Sequence, residues 1–191
     1  NIRSIICMYL TKRGYVVVKS KHSPTKIKQV KKELTVKPFV SNDYASNVTK
    51  FPVFLENQNK LYLPKHYGLE HFGEPEEDKT TGGLDIDLEF KGSLREKQKP
   101  VIEDFLETCK PGKYTKRSNG GIISVPCGFG KTCCGLYLIC KLKKKALVIV
   151  HKEFLLNQWV ERIKQFIPDA RIGRIQAKTI DIHNKDIVIG M

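Results

Sequence analysis

The sequence predicts an α/β fold: a parallel, doubly wound sheet over its second half, preceded by a small α+β module. Three observations carry this. Residues 120–191 alternate strand and helix patterns, as successive β–α–β units do. A glycine-rich turn, Pro126-Cys127-Gly128-Phe129-Gly130-Lys131-Thr132, lies between an apolar run and an apolar helical pattern. An acidic stretch separates two basic halves: residues 1–73 carry a net +9, 74–92 carry −5 and 93–191 carry +10, for a total of +14. The expected parts are 1–73, a basic α+β domain; 74–83, an acidic flexible linker containing Gly and Pro; and 84–191, the parallel α/β domain.

In chain order, Ile2, Ile5, Ile6, Tyr9 and Leu10 are spaced as one helix face over 2–12, and Gly14 suits a helix C-cap. Tyr15–Val18 reads as a strand. Ser23-Pro24 opens a lysine-rich helix with Ile27, Val30 and Leu34 on one face and Lys26, Lys28, Lys31 and Lys32 on the other. Leu34–Val36 is a short strand and 41–49 a polar loop. Phe51–Leu55 and Lys60–Pro64 flank Glu56–Asn59 as a hairpin, with its prolines at strand ends. Tyr67–Phe72 suits one helical turn, and the aromatic residues of this module are read as core. Leu84, Ile86, Leu88 and Phe90 alternate with acids as a half-buried strand.

Pro100 suits the first position of a helix whose face is Val101, Ile102, Phe105, Leu106 and Cys109. Residues 110–119 form a basic loop, Gly121–Val125 a strand, and Cys133–Leu142 a helix. Ala146–Val150 has the continuous apolar character of a parallel strand covered on both faces. A helix follows over 153–167 with Leu155, Trp159, Ile163 and Phe166 on one side, stopped by Pro168. Residues 171–175 and 186–189 are two further strands.

The turn has the chemistry of a phosphate cradle. Gly128 and Gly130 permit backbone turns closed to other residues, and no side chain stands between the amides and a ligand. The next helix adds free N–H groups and the positive end of its dipole. Lys131 supplies a full charge for the β and γ phosphates, and the Thr132 hydroxyl a ligand for Mg2+. Val125 stands where the general pattern has its first glycine.

Composition narrows the classes. The charge favours a polyanionic partner. The six cysteines form no Cys-x-x-Cys pair, which points to reduced thiols in an intracellular, reducing compartment such as nucleus or cytoplasm. No segment resembles a signal peptide or membrane span. The first residue is Asn1, so the chain is expected to begin inside a longer product.

The order of these pieces resembles superfamily 2 helicases and translocases, in the branch of XPB, UvsW and the helicases of large DNA viruses. Leu94-Arg95-x-x-Gln98 is similar to the family's adenine-reading motif, and Val125–Thr132 to its motif I, which carries Pro-Cys-Gly where other P-loops begin with glycine. Val148–Trp159 resembles motif Ia, and Ile172-Gly173-Arg174 the motif Ib region. The resemblance implies a partial RecA-like P-loop domain that binds ATP and Mg2+. The nucleotide would be held by Arg95, Gln98, Pro126, Cys127, Gly128, Phe129, Gly130, Lys131, Thr132 and Cys133. Lys131 and Thr132 would act in catalysis, with Thr132 on the metal. Gln98 would read adenine with Arg95 in support, and His151, Lys152, Gln158 and Arg174 would hold a nucleic-acid backbone.

DNA is the implied partner, with RNA the alternative. A second RecA-like lobe of the same chain is implied too, and transcription or repair machinery as a wider setting. No Asp-Glu-x-His or Asp-Glu-x-Asp motif occurs before Met191, so the resemblance implies an N-terminal portion inactive by itself. Two other readings remain: a non-catalytic nucleic-acid-binding module with a vestigial loop, and another P-loop NTPase or kinase.

Overall fold

The structure, a computed structural model, describes residues 7–38, 48–110 and 120–191. The chain forms two compact units that meet between Gly82 and Gly83. The loop expected at 111–119 and most of that at 41–49 lie outside the described residues.

In the first unit, β1 (Met8–Thr11) and β2 (Gly14–Val18) are antiparallel across a two-residue turn. The helix expected over 2–12 is therefore replaced, in its described part, by a strand. Its helical spacing leaned on Ile2, Ile5 and Ile6, which are outside the described residues, whereas pairing with β2 decides the conformation of 8–11. Gly14 is not a helix cap but opens β2 at φ +106°, and a Cβ there would meet the Leu63 carbonyl oxygen at 2.2 Å. Helix α1 (Pro24–Glu33) starts as expected: Ser23 Oγ accepts from the Lys26 N–H at 3.2 Å, and proline occupies the first turn.

The short strands β3 (Thr35–Val36) and β4 (Phe51–Pro52) pair with each other. The hairpin is formed by β5 (Leu55–Glu56) and β6 (Lys60–Leu63), and α2 (Lys65–Phe72) is two turns rather than one. Inside the segment expected as a linker, β7 (Glu77–Asp78) runs parallel to β1, and Glu76 N–H and Lys79 N–H donate to Met8 and Leu10. The sheet order is β5-β6-β2-β1-β7, and one of its faces buries Leu10, Tyr15, Val17, Leu61 and Leu63 with Val30 of α1.

The second unit opens with an extended segment, 84–91, rather than the strand expected there. Its partner is the short link Lys143–Lys145, which offers one rung: Ile86 N–H donates to Lys143 and Lys145 N–H to Leu84. Asp85 and Asp87 pair with Lys144 and Lys143. A 3-10 turn at Glu96–Gln98 leads into α3 (Lys99–Cys109), and α4 (Lys131–Leu142) follows the glycine turn.

The remaining elements are β8 (Ala146–Ile149), α5 (Glu153–Phe166), β9 (Ile172–Gln176), β10 (Thr179–Asp181) and β11 (Ile187–Gly190). Strands β9, β11 and β8 are parallel, with β10 as an antiparallel edge, in the order β10-β9-β11-β8. Leu136 and Cys140 of α4 and Leu156 and Ile163 of α5 pack on Ile187 and Ile189. This is the parallel sheet with flanking helices expected of a partial RecA-like domain.

Two details differ. Gly121–Val125 forms no ladder: Ile122 is 95% exposed, while Ile123 and Val125 are held by side-chain packing on Ile102, Phe129 and Leu138. A strand needs a paired neighbour, and the described residues supply none beside it. Among the described residues strand β8 is covered on one face only, with Leu147 and Ile149 exposed on the other. No helix among the described residues is long and apolar enough to cross a membrane.

Candidate functional site

The glycine turn is fixed from two sides. Below it, the Phe129 side chain is buried with Ile102, Cys134 and Leu138, which joins the loop to α3 and α4. Above it, the Phe129 carbonyl accepts hydrogen bonds from the Gln98 amide at 2.7 Å and from the Arg95 guanidinium, which also donates to the Gly128 carbonyl at 3.3 Å. Gln98 reaches this position because its Oε1 accepts from the Arg95 N–H at 2.8 Å, the reciprocal half of a capping box.

The backbone then turns through Gly130 at φ +96°, and a Cβ there would stand 2.5 Å from Gln98 Nε2 and 2.6 Å from Arg95 Nη2. Only glycine fits. Helix α4 begins at the next residue, with Lys131 and Thr132 in its first turn. Lys131 folds back, and its Nζ donates to the Pro126 carbonyl at 3.0 Å.

Opposite the loop stands one side of α5. Leu155, Gln158, Trp159, Arg162 and Phe166 face Arg95, Gln98, Cys127, Gly128, Gly130, Lys131, Thr132 and Cys133 across a cleft of about 930 Å3. Trp159 is admitted by Gly135 of α4, where a Cβ would meet its ring at 3.0 Å. Arg95, Lys131 and Arg162 bring three cations to the cleft, and among the described residues no carboxylate lines it. Basic walls, a helix N-terminus and a glycine turn are the features that can hold an anion, and a cavity of this size has room for an organic part beside it.

The expected nucleotide residues therefore come together, with three refinements. Phe129 contributes its carbonyl to the loop's bracing while its ring serves the core. Pro126 contributes a carbonyl that holds Lys131. Gln98 is 2% exposed and has its amide engaged with the loop and with Arg95, which uses one of its two N–H groups and one lone pair of its oxygen.

The four residues expected on a nucleic-acid backbone divide. His151 and Lys152 are exposed at the turn into α5. Arg174 on β9 reaches the same helix, and its Nη2 donates to Asn157 Oδ1 at 3.2 Å. Gln158 instead lines the cleft with the glycine turn. Arg162 and Asn157 were not expected as site residues, and Trp159 was expected only on the apolar face of its helix; the polar positions on the Trp159 side of α5 were the available signal.

As for a metal, no group of three His, Cys, Asp or Glu among the described residues could hold one. Thr132 in the cleft suits Mg2+ of the kind that keeps waters and rides on substrate phosphates.

Residues 91–191 match the sequence profile of the family described as Type III restriction enzyme, res subunit. A protein of Acanthamoeba polyphaga mimivirus, provisionally named an ATP-dependent RNA helicase, is 35% identical over 184 residues, 94% of this chain and 34% of that protein. The general transcription and DNA repair factor IIH helicase/translocase subunit XPB of Encephalitozoon cuniculi is 34% identical over 101 residues, 51% of this chain and 14% of that one. Among solved structures, a Sulfolobus solfataricus SWI2/SNF2 ATPase core in complex with dsDNA has a TM-score of 0.43 at 19% identity, over 58% of this chain and 23% of that one. The chain thus spans about a third of the length of the mimivirus relative and less of the other.

Proposed function

The chain belongs to the family described as the type III restriction enzyme res subunit, among superfamily 2 helicases that include those of large DNA viruses, and on that premise we propose that it carries the ATP-binding part of an ATP-dependent DNA helicase or translocase. The observation that carries this reading is the left-handed Gly130 leading into Lys131 and Thr132 at the mouth of a cleft lined, among the described residues, by three cations and no carboxylate.

In this reading the turn and the first turn of α4 would hold a triphosphate. Lys131 leaves the Pro126 carbonyl for the β and γ phosphates, a short swing for a long and exposed side chain. Thr132 would hold a Mg2+ arriving with the nucleotide, which would supply neutralisation of phosphate charge. Arg95 and Gln98 keep the turn open by holding the Phe129 carbonyl away from the anion. Gln158 and Arg162 belong to the nucleotide side of α5, while His151, Lys152 and Arg174 meet the nucleic-acid backbone. Among the described residues lining the cleft, no acidic group stands to position an attacking water. The 191 residues are therefore expected to bind ATP without turning it over.

Calorimetric titration with a non-hydrolysable ATP analogue tests this. Wild type should bind in a Mg2+-dependent manner, and Lys131→Ala should bind at least tenfold more weakly. Equal binding by the two proteins would overturn the assignment.

A further inference from the structure

We propose that the face of the N-terminal sheet turned away from α1 and α2 is a stacking platform for the bases of a single-stranded nucleic acid. The inference takes the class of partner from the reading above and assigns it a second surface, one on which no residue had been given a role.

The register places the platform. Leu55 pairs with Tyr62, Tyr62 with Val16, Val16 with Tyr9, and Tyr9 with Glu77, so these five form one row across all five strands. Their chain neighbours Leu10, Tyr15, Val17, Leu61 and Leu63 are the ones buried in the core with Val30 of α1. Side chains alternate between faces along a strand, so Tyr9 and Tyr62 project from the other side. The aromatic residues of this module, read from the sequence as core, thus divide between two faces. Both tyrosines are half-buried, Val16 between them is fully buried, and Leu55 at the end of the row is 63% exposed.

Cations stand over the rings. The Arg13 guanidinium lies 5.8 Å from the Tyr62 ring centre, and the Lys60 and Lys79 ammonium groups lie 5.6 Å and 4.8 Å from that of Tyr9. Glu77 is the acid in the row, and it pairs with Lys79 at 3.0 Å. Two aromatic rings on an open sheet, each attended by flexible basic side chains, match what a single strand offers: flat bases for the rings and phosphates for the cations. Strand β2 separates the two rings, so their backbones stand about 10 Å apart, two strand spacings. Two bases of one extended strand can use them together. Duplex nucleic acid, its bases already stacked, would use only the cations.

The test uses the whole 191-residue chain and fluorescence anisotropy at low salt. The probes are a labelled twelve-nucleotide oligothymidylate and an abasic oligomer of equal length and charge. Wild type should prefer the base-bearing oligomer. Tyr9→Leu and Tyr62→Leu should each weaken binding to it about tenfold, within the range for one base–aromatic stack, and leave the abasic oligomer unchanged. Tyr9→Phe and Tyr62→Phe, which keep the ring, should bind as wild type does. Photo-cross-linking of wild type to a 5-iodouracil oligomer needs no variant and should give adducts at Tyr9 or Tyr62. Adducts only elsewhere, or leucine variants with unchanged affinity for bases, would overturn the platform. If, besides, Arg174→Ala weakens binding, the nucleic-acid reading of the second unit stands while the platform falls. If wild type binds neither oligomer, both readings fail.

Discussion

Gln98 shows how one side chain can set the state of a loop. It is almost fully buried, accepts from the Arg95 N–H and donates to the Phe129 carbonyl, so its removal strands the Arg95 N–H and leaves the Phe129 carbonyl to the Arg95 guanidinium alone. Gln98→Leu should lower stability by about 1–3 kcal/mol, the cost of leaving a polar group without its partner, as read by urea unfolding. An unchanged midpoint would mean that the amide only borders the loop. Gly130 is the stricter position. Alanine there would bear a left-handed backbone, costing about 1–2 kcal/mol, and its Cβ would push on both Gln98 and Arg95. Gly130→Ala should therefore lose nucleotide affinity by tenfold or more and also stability, whereas Lys131→Ala should lose affinity alone. Thermal melting with and without nucleotide separates the two patterns.

At the scale of elements, the start of β9 is tied to β11 by one carboxylate. Asp186 accepts from Arg171 N–H at 2.9 Å, from its Nε at 2.8 Å and from its Nη2 at 2.6 Å. The hydrogen bonds from the Arg171 side chain hold the Asp186 carboxyl below the usual carboxylate range, against the opposing effect of burial. A folded-state pKa below the unfolded value gives stability that is present above about pH 3.9 and disappears as pH falls through the folded value. Asp186→Asn should cost about 1–2 kcal/mol at neutral pH, and the variant and wild type should converge in acid. A gap constant down to pH 2 would contradict this. Helices α1, α3, α4 and α5 were legible because each shows an apolar stripe, Val30 and Ile27 in α1 and Leu155 and Ile163 in α5 among them. The glycine turn was legible because its residue types are dictated by chemistry. Residues 8–11, 84–90 and 121–125 were misread for a common reason: a strand is defined by a neighbour, and periodicity in one segment does not say whether a neighbour exists. The α5 wall of the cleft was hidden likewise, since Gln158, Trp159 and Arg162 meet the turn only through packing of α5 on α4.

For the whole molecule, the charge of +14 predicts binding to nucleic acid that weakens steeply with salt. Each phosphate neutralised on a duplex contributes a slope of about −0.9 in log K against log salt, so Arg174→Ala should make the slope shallower by about that amount. A salt response unchanged by the substitution would remove Arg174 from the contact. The central claim, however, concerns the turn at Gly128–Thr132. A crystal grown with a non-hydrolysable ATP analogue and Mg2+ tests it most directly. The account predicts a triphosphate against the first turn of α4, with Lys131 released from the Pro126 carbonyl and the metal beside Thr132. A turn that stays empty at saturating analogue, with Lys131 still on Pro126, would contradict it.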